Sequence, residues 1–272
     1  MNFFPLDFSN RFFFICGPCV LEEESFCLEI AQQLKELFID LNTPFIFKAS
    51  YDKANRTSLH SSRGPGLKRG LAILSRIGQE LKIPILTDVH TREEAEQVAE
   101  VADVLQIPAF LCRQTDLILA VAEAAAKWNR VVNVKKGQFL SPLDIPPILD
   151  KITSRGQKKI LLTERGVCFG YRQLVSDFRS IPMMKKWGYP VCFDATHSVQ
   201  EPGALKGQSG GKREWIPFLA RAAVAVGADL IYLEVHPDPE KALCDAASML
   251  PLKKLPDLVK LLLRIRSALQ EP

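Results

Sequence analysis

A chain of 272 residues, 47% hydrophobic and 24% charged, has a globular composition, which excludes collagen-like or mucin-like repeats and wholesale disorder. Its 35 Lys and Arg against 31 Asp and Glu leave a diffuse +4, whereas a nucleic-acid footprint needs basic residues gathered on one face. No run approaches the ~18 apolar residues of a membrane span, residues 1–10 lack a basic leader, and seven cysteines without framework spacing suit reduced thiols. The expectation is a soluble, cytoplasmic protein with neither membrane nor nucleic acid as partner.

Eight short apolar, β-branched runs follow one another along the chain, at 12–16, 45–49, 83–87, 104–107, 131–134, 160–163, 191–194 and 230–234. Between them lie stretches of helical period. In 22–41, Leu28, Ala31, Leu34 and Leu37/Phe38 share a stripe at three- and four-residue spacing. The segment 91–101 opens on Thr91 with Glu94 three residues later, the capping-box pattern. Segments 114–128, 141–155, 211–227 and 252–269 read as helices in the same way. Strands apolar on both faces and alternating with helices predict a parallel sheet covered by helices. Eight units in about 250 residues, with no composition shift to mark a second domain, predict a single-domain (β/α)8 barrel, an α/β fold of TIM type, over 1–272. The rival is a doubly wound open sheet, but Gly17-Pro18-Cys19 after the first strand lacks the glycine fingerprint that such a sheet carries there.

Barrels of this type gather their active sites at the C-terminal ends of the strands, so the residues just past each strand are read together. One group is cationic: Lys48, Lys53, Arg56, Lys135 and Arg165, joined by Lys136 and Arg113. Like charges converging on one mouth repel unless an anion compensates them, and phosphate and carboxylate are the anions that Arg forks and Lys point charges hold. The expected partner is a phosphorylated small molecule; the bland alternative is solvated surface. A second group has metal-ligand chemistry: Cys19, His197, Glu234 and Asp245, with His236 in reserve. A thiolate, an imidazole and two carboxylates suit a divalent transition ion, although each taken singly also reads as ordinary packing or pairing.

Two further features have competing readings. Cys16-Gly17-Pro18-Cys19 has the spacing of a redox dithiol, but thioredoxin-like domains are far smaller and a dithiol leaves the strand-end cations unexplained. Cys27, Cys112, Cys168 and Cys192 read as interior or boundary thiols. The glycine-rich segment 200–213 reads as a loop, either a lid over substrate or a plain connection.

The motifs Gly17-Pro18-Cys19, Lys48-Ala49-Ser50 leading to Lys53-Ala54-Asn55-Arg56, Gln106-Ile107-Pro108-Ala109-Phe110, Asn133-Val134-Lys135-Lys136-Gly137-Gln138, Phe193-Asp194-Ala195-Thr196-His197 and Leu233-Glu234-Val235-His236-Pro237 together resemble the 3-deoxy-D-manno-octulosonate 8-phosphate synthase family. The resemblance runs from about residue 13 to the last helix. It implies a (β/α)8 barrel, usually a homotetramer, that condenses phosphoenolpyruvate with arabinose 5-phosphate and water and releases phosphate, in the synthesis of lipopolysaccharide precursors. Residue by residue, it implies that Lys48, Ser50, Lys53, Lys135, Gln138 and Arg165 grip phosphoenolpyruvate, with backbone from Ala109. It implies that Asn55, Arg56 and Thr57 face the sugar phosphate, that a neighbouring subunit lends Arg113, and that Asp88 is a site aspartate. Cys19, His197, Glu234 and Asp245 match the ligands of the metal-dependent branch, which holds one divalent ion such as zinc, iron or manganese. In the metal-independent branch Asn stands at the position of Cys19. Lys48, Lys53, Asp88, Lys135 and His197 are the implied catalytic set, and Thr57 departs from the expected Ser.

Two other enzymes compete. The sister 3-deoxy-D-arabino-heptulosonate 7-phosphate synthase takes erythrose 4-phosphate and carries Lys-Pro-Arg-Thr-Ser where this chain has Lys53-Ala54-Asn55-Arg56-Thr57-Ser58, so Ala54-Asn55 favours the five-carbon sugar. A Schiff-base aldolase would use Lys135 or Lys136 as the nucleophile.

Overall fold

The computed structural model describes residues 6–8, 11–55, 61–170, 173–205 and 208–269. Eight parallel strands form the barrel: β1 (Phe13–Gly17), β2 (Phe45–Lys48), β3 (Ile85–Asp88), β4 (Val104–Ile107), β5 (Val131–Lys135), β6 (Ile160–Glu164), β7 (Val191–Asp194) and β8 (Leu230–His236). Each pairs with the next in chain order, and β8 closes on β1 in a register running from Phe13 opposite Leu230 to Gly17 opposite Glu234. Outside lie α1 (Glu24–Asp40), α2 (Leu67–Leu81), α3 (Ala95–Val101), α4 (Thr115–Lys127), α5 (Pro146–Thr153), α6 (Ser180–Lys185), α7 (Ile216–Ala225) and α8 (Leu255–Ala268). The expected (β/α)8 barrel is the observed fold. No described helix is long and apolar enough to cross a membrane.

Alternation along each strand sorts its residues. Outward side chains such as Phe14, Phe47, Leu105, Val132, Leu162, Phe193 and Leu233 join the main core against the helices. Inward ones at the strand starts, among them Phe13, Ile15, Ile46, Leu86, Val104, Val131, Leu161, Cys192 and Leu230, form an inner apolar plug, with Leu6 and Phe8 packed against it. Toward the C-terminal ends the inward positions turn polar: Lys48, Asp88, Gln106, Asn133, Lys135, Thr163, Asp194 and Glu234 are all buried. The strands are therefore not apolar on both faces throughout. Their inner face changes character halfway up, and that change makes the mouth.

The strands match the sequence reading to within two residues at either end, but two helices lie outside it. Residues 67–81 carry a plain stripe of Leu67, Leu71, Leu74, Ile77 and Leu81, entered from Gly66 at φ 80. The other, α6, has six residues with Pro182 in its first turn, too short for a period to show. The glycine-rich segment after His197 is not an irregular loop. It is an antiparallel hairpin, Gln200–Leu205 with Gln208–Gly211, lying against a second hairpin, Val167–Gly170 with Gln173–Val175.

Candidate active site and metal centre

Gly17 ends β1 because nothing larger fits: a Cβ there would stand 2.0 Å from the carbonyl oxygen of Lys48. The chain then runs beside β2, with Ser50 N donating to Cys19 O (3.3 Å) and Leu21 N to Ser50 O (2.9 Å), which fixes Cys19 at the rim. After β8 the chain leaves through Asp238 and returns as Leu250–Pro251, a two-residue strand paired with Val235 and His236, which brings the intervening loop back to the barrel. That loop carries Asp245 in the left-handed region, at φ 49.

Lys48 is the hub of one half of the site. Its Nζ donates to Glu234 Oε1 at 2.7 Å and to Cys19 O at 3.0 Å, and lies 3.9 Å from Asp88 Oδ2. Asp88 accepts from Ser50 Oγ and, at 2.6 Å, from Gln106 Nε2. A buried relay continues behind Gln106, whose Oε1 accepts from Asn133 Nδ2 (2.8 Å), while Asn133 Oδ1 accepts from Thr163 Oγ1 (2.7 Å). Lys53 Nζ donates to Ser50 Oγ at 3.1 Å. In the other half, Lys135 Nζ donates to Asp194 Oδ2 at 2.6 Å and sits 4.1 Å above the Tyr232 ring. Asp194 Oδ2 also lies 2.7 Å from His197 Nδ1, which turns Nε2 to within 3.6 Å of Glu234 Oε2.

The charges are tuned by one another. Burial alone would raise Asp88, but Lys48 and Lys53 outweigh it and hold the carboxyl well below its ordinary range. Burial is likewise outweighed at Asp194 by His197 and Lys135, and at Glu234 by His197, Lys48, Lys53 and Lys135. Burial would lower Lys53; Cys19 and Glu234 reverse it and carry the ammonium well above its ordinary value. The buried lysines thus do not wait for an outside anion, as the sequence suggested: Lys48 and Lys135 already have protein carboxylates. Arg165 is different. It is buried, its Nη2 donates to Gln200 Oε1 at 2.7 Å, and its Nη1 has no partner among the described residues. Burial pushes this guanidinium below its ordinary value, an energetic debt that an anion bound there would offset. The buried Oε1 of Gln138 is also without a partner among the described residues.

Donor atoms of Cys19, His197, Glu234 and Asp245, joined by Cys244, gather as two triplets that share Asp245. In each of Cys19/Cys244/Asp245 and His197/Glu234/Asp245 the ligand atoms lie within 4.8 Å of one another. Cys19 Sγ donates to Asp245 Oδ2 at 3.1 Å. Sulfur beside imidazole and carboxylate oxygen is a donor set suited to zinc, iron or manganese, and Asp194 behind the imidazole is the carboxylate–histidine arrangement that orients a metal ligand.

Several expectations change. Lys136 points away from the mouth, as alternation with Lys135 requires; its Nζ donates to Leu140 O at 3.0 Å and lies 3.4 Å from Glu164 Oε2, so it braces the barrel wall. His236 is no spare ligand, since its Nε2 faces Glu22 at 3.3 Å and its Nδ1 accepts from Asp238 N. Asn55 and Arg113 are solvent-exposed and stand outside the buried cluster, while Ala109 is buried at the turn after β4. Arg56 and Thr57 lie outside the described residues. Asp194, Tyr232, Cys244 and the Gln106–Asn133–Thr163 relay were not among the expected site residues. For Asn133, Thr163 and Tyr232 the signal was parity, since each stands two residues before a named site residue, Lys135, Arg165 and Glu234.

The fold and the site define a (β/α)8 barrel enzyme with a charged, carboxylate-balanced mouth and a mixed sulfur, nitrogen and oxygen donor cluster. The chain belongs to the DAHP synthetase I family, which matches residues 8–271. Curated relatives named 2-dehydro-3-deoxyphosphooctonate aldolase include one from Geotalea daltonii, 56% identical over 246 residues (90% of this chain, 89% of the relative). Another, from Nitratidesulfovibrio vulgaris, is 55% identical over 250 residues (92% and 90%), and a third, from Cyanothece sp., is 54% identical over 258 residues (95% and 93%). That name denotes the synthase family whose motifs the sequence resembles.

Proposed function

We propose that this chain condenses phosphoenolpyruvate with arabinose 5-phosphate and water to give 3-deoxy-D-manno-octulosonate 8-phosphate and phosphate. The observation that carries the reading is Arg165: a buried fork with one free arm, in the same mouth as Lys48, Lys53 and Lys135. In this reaction the vinyl carbon of phosphoenolpyruvate attacks the aldehyde, its C2 becomes electron-poor and takes up water, and phosphate departs. Two phosphates and a carboxylate must be held while charge develops, work suited to a preorganised cationic site that needs no reorganisation during the step. Arg165 and Lys53, which have no carboxylate at ion-pair distance among the described residues, receive anionic oxygen. Gln138 grips phosphoenolpyruvate through its amide N–H, and Lys48 and Lys135 hold Glu234 and Asp194 in place while adding positive potential.

Cys19, His197, Glu234 and Asp245 would hold one divalent ion, which when bound polarises a carbonyl, activates water or orients the sugar. Asp194 keeps a proton at His197 Nδ1 and leaves Nε2 free for that ion. The site is completed in a homotetramer, with the exposed Arg113 reaching a neighbour's sugar phosphate, and the enzyme works in the cytoplasm.

The sister reaction is separated by assay. Phosphate release from phosphoenolpyruvate should be fast with arabinose 5-phosphate and at least tenfold slower with erythrose 4-phosphate; the reverse order would move the assignment to the heptulosonate enzyme. Borohydride added with substrates should trap no adduct, because no lysine imine lies on this path.

A further inference from the structure

We propose that Cys244 is a further ligand of the metal centre, so that a bound ion is held by two thiolates instead of one. The inference rests on the reading of this cluster as a metal centre and extends it. The sulfur atoms of Cys19 and Cys244 and a carboxylate oxygen of Asp245 all lie within 4.8 Å of one another. Two sulfurs on one tetrahedral zinc, each at ~2.3 Å, stand about 3.8 Å apart, inside that limit. Cys244 and Asp245 are consecutive, and consecutive side chains in extended backbone point to opposite sides. Here the left-handed conformation of Asp245, which few residues other than glycine adopt, turns the chain so that both reach the same thiol.

The alternative is that Cys244 is a small apolar residue filling space. It does pack with Val20, Met249 and Ala242, and both thiols are buried. Packing alone leaves unexplained a cluster in which two thiols share their contact with a carboxylate, where a hydrocarbon side chain of similar size would serve without a polar atom. Glu234 adds to the case. Its Oε1 already accepts from Lys48 (2.7 Å) and Tyr232 (3.0 Å), so only Oε2 is left for an ion and a further donor has a place. On binding, each thiol gives its proton to solvent and each sulfur supplies a lone pair. A second thiolate makes the site softer and shifts its preference toward cadmium and zinc and away from manganese.

The probe is cadmium, added at one equivalent to the purified full-length chain carrying Cys168→Ser, which removes the exposed thiol. The ultraviolet thiolate-to-cadmium band is read per bound ion against one- and two-thiolate standards. Two thiolates per ion in this protein, falling to one in both Cys244→Ser and Cys19→Ser, together with a drop of at least tenfold in cadmium-over-manganese preference in Cys244→Ser, supports the proposal. One thiolate per ion, unchanged by Cys244→Ser and abolished by Cys19→Ser, overturns it and leaves the four-ligand centre standing. No cadmium retained by the folded protein overturns both. The two-thiolate intensity is measured without altering either ligand cysteine, so a variant that fails to fold does not remove the test.

Discussion

Arg165 and Asp194 carry opposite kinds of obligation. Arg165 is buried with half its fork unused, so its worth appears only when an anion arrives. Arg165→Ala should lower kcat/KM by ~10²–10³, the usual cost of deleting a preorganised charge donor, with little loss of thermal stability. Arg165→Lys should recover only part of that, because a point charge cannot reproduce a two-pronged contact. Steady-state kinetics with phosphoenolpyruvate as the varied substrate reads both. Asp194 is already engaged, binding Lys135 at 2.6 Å and His197 at 2.7 Å. Asp194→Asn strands a buried ammonium and should cost about 3–5 kcal/mol, seen as a lower Tm. The same variant should lose metal affinity by ~10–100-fold, since it removes the group that orients the imidazole, as equilibrium dialysis would report.

At the scale of elements, the start of α3 shows how a loop between barrel parts is held. Glu94 Oε2 accepts from Tyr51 Oη (2.7 Å), His90 N (2.9 Å) and Thr91 N (3.2 Å), joining the loops after β2 and β3 to the helix start. Burial would raise this carboxyl, but hydrogen bonds from His90, Tyr51 and the backbone outweigh it and hold it at about 2. A carboxyl depressed on folding stabilises above its unfolded pKa, near 4.3, and loses that contribution as pH falls through the folded value. Glu94→Gln should therefore cost about 1–2 kcal/mol at pH 7, a figure kept small by partial solvent screening. The gap in Tm between wild type and variant should be constant above pH 5 and close between about pH 4 and pH 2. Gly17→Ala should displace Lys48, because its new Cβ meets the Lys48 carbonyl backbone, and activity should fall more than the fold is weakened.

These elements also show what a sequence exposes. The eight strands were legible because each is a β-branched run bounded by polar residues, and the Thr91–Glu94 capping box is present as read. Cys19, His197, Glu234 and Asp245 were legible by residue type and by resemblance. Asp194, Gln106, Asn133 and Thr163 were not, because a polar residue inside a buried strand declares its role only when its direction and partners are known. Lys136 was misjudged for the same reason, although its alternation with Lys135 held the answer. Cys244 adjoins a named ligand, but sequence adjacency gives no direction for a side chain in a turn.

For the whole molecule, closure of eight strands makes function possible by forcing residues 19, 48, 88, 135, 165, 197, 234 and 245 to one rim. Closure of β8 on β1 sets Glu234 against Lys48, while Lys135 meets Asp194 across the intervening β6. The polar upper layer therefore depends on the apolar plug below it for its geometry. The most direct test of this account is initial-rate phosphate release from phosphoenolpyruvate by the purified chain, with and without arabinose 5-phosphate, before and after treatment with a chelator. Release should require the sugar phosphate, be abolished by the chelator and return with one equivalent of a divalent transition ion. Release that ignores the sugar phosphate would contradict the assigned reaction, and full activity in a chelated, metal-free protein would contradict the role given to Cys19, His197, Glu234 and Asp245.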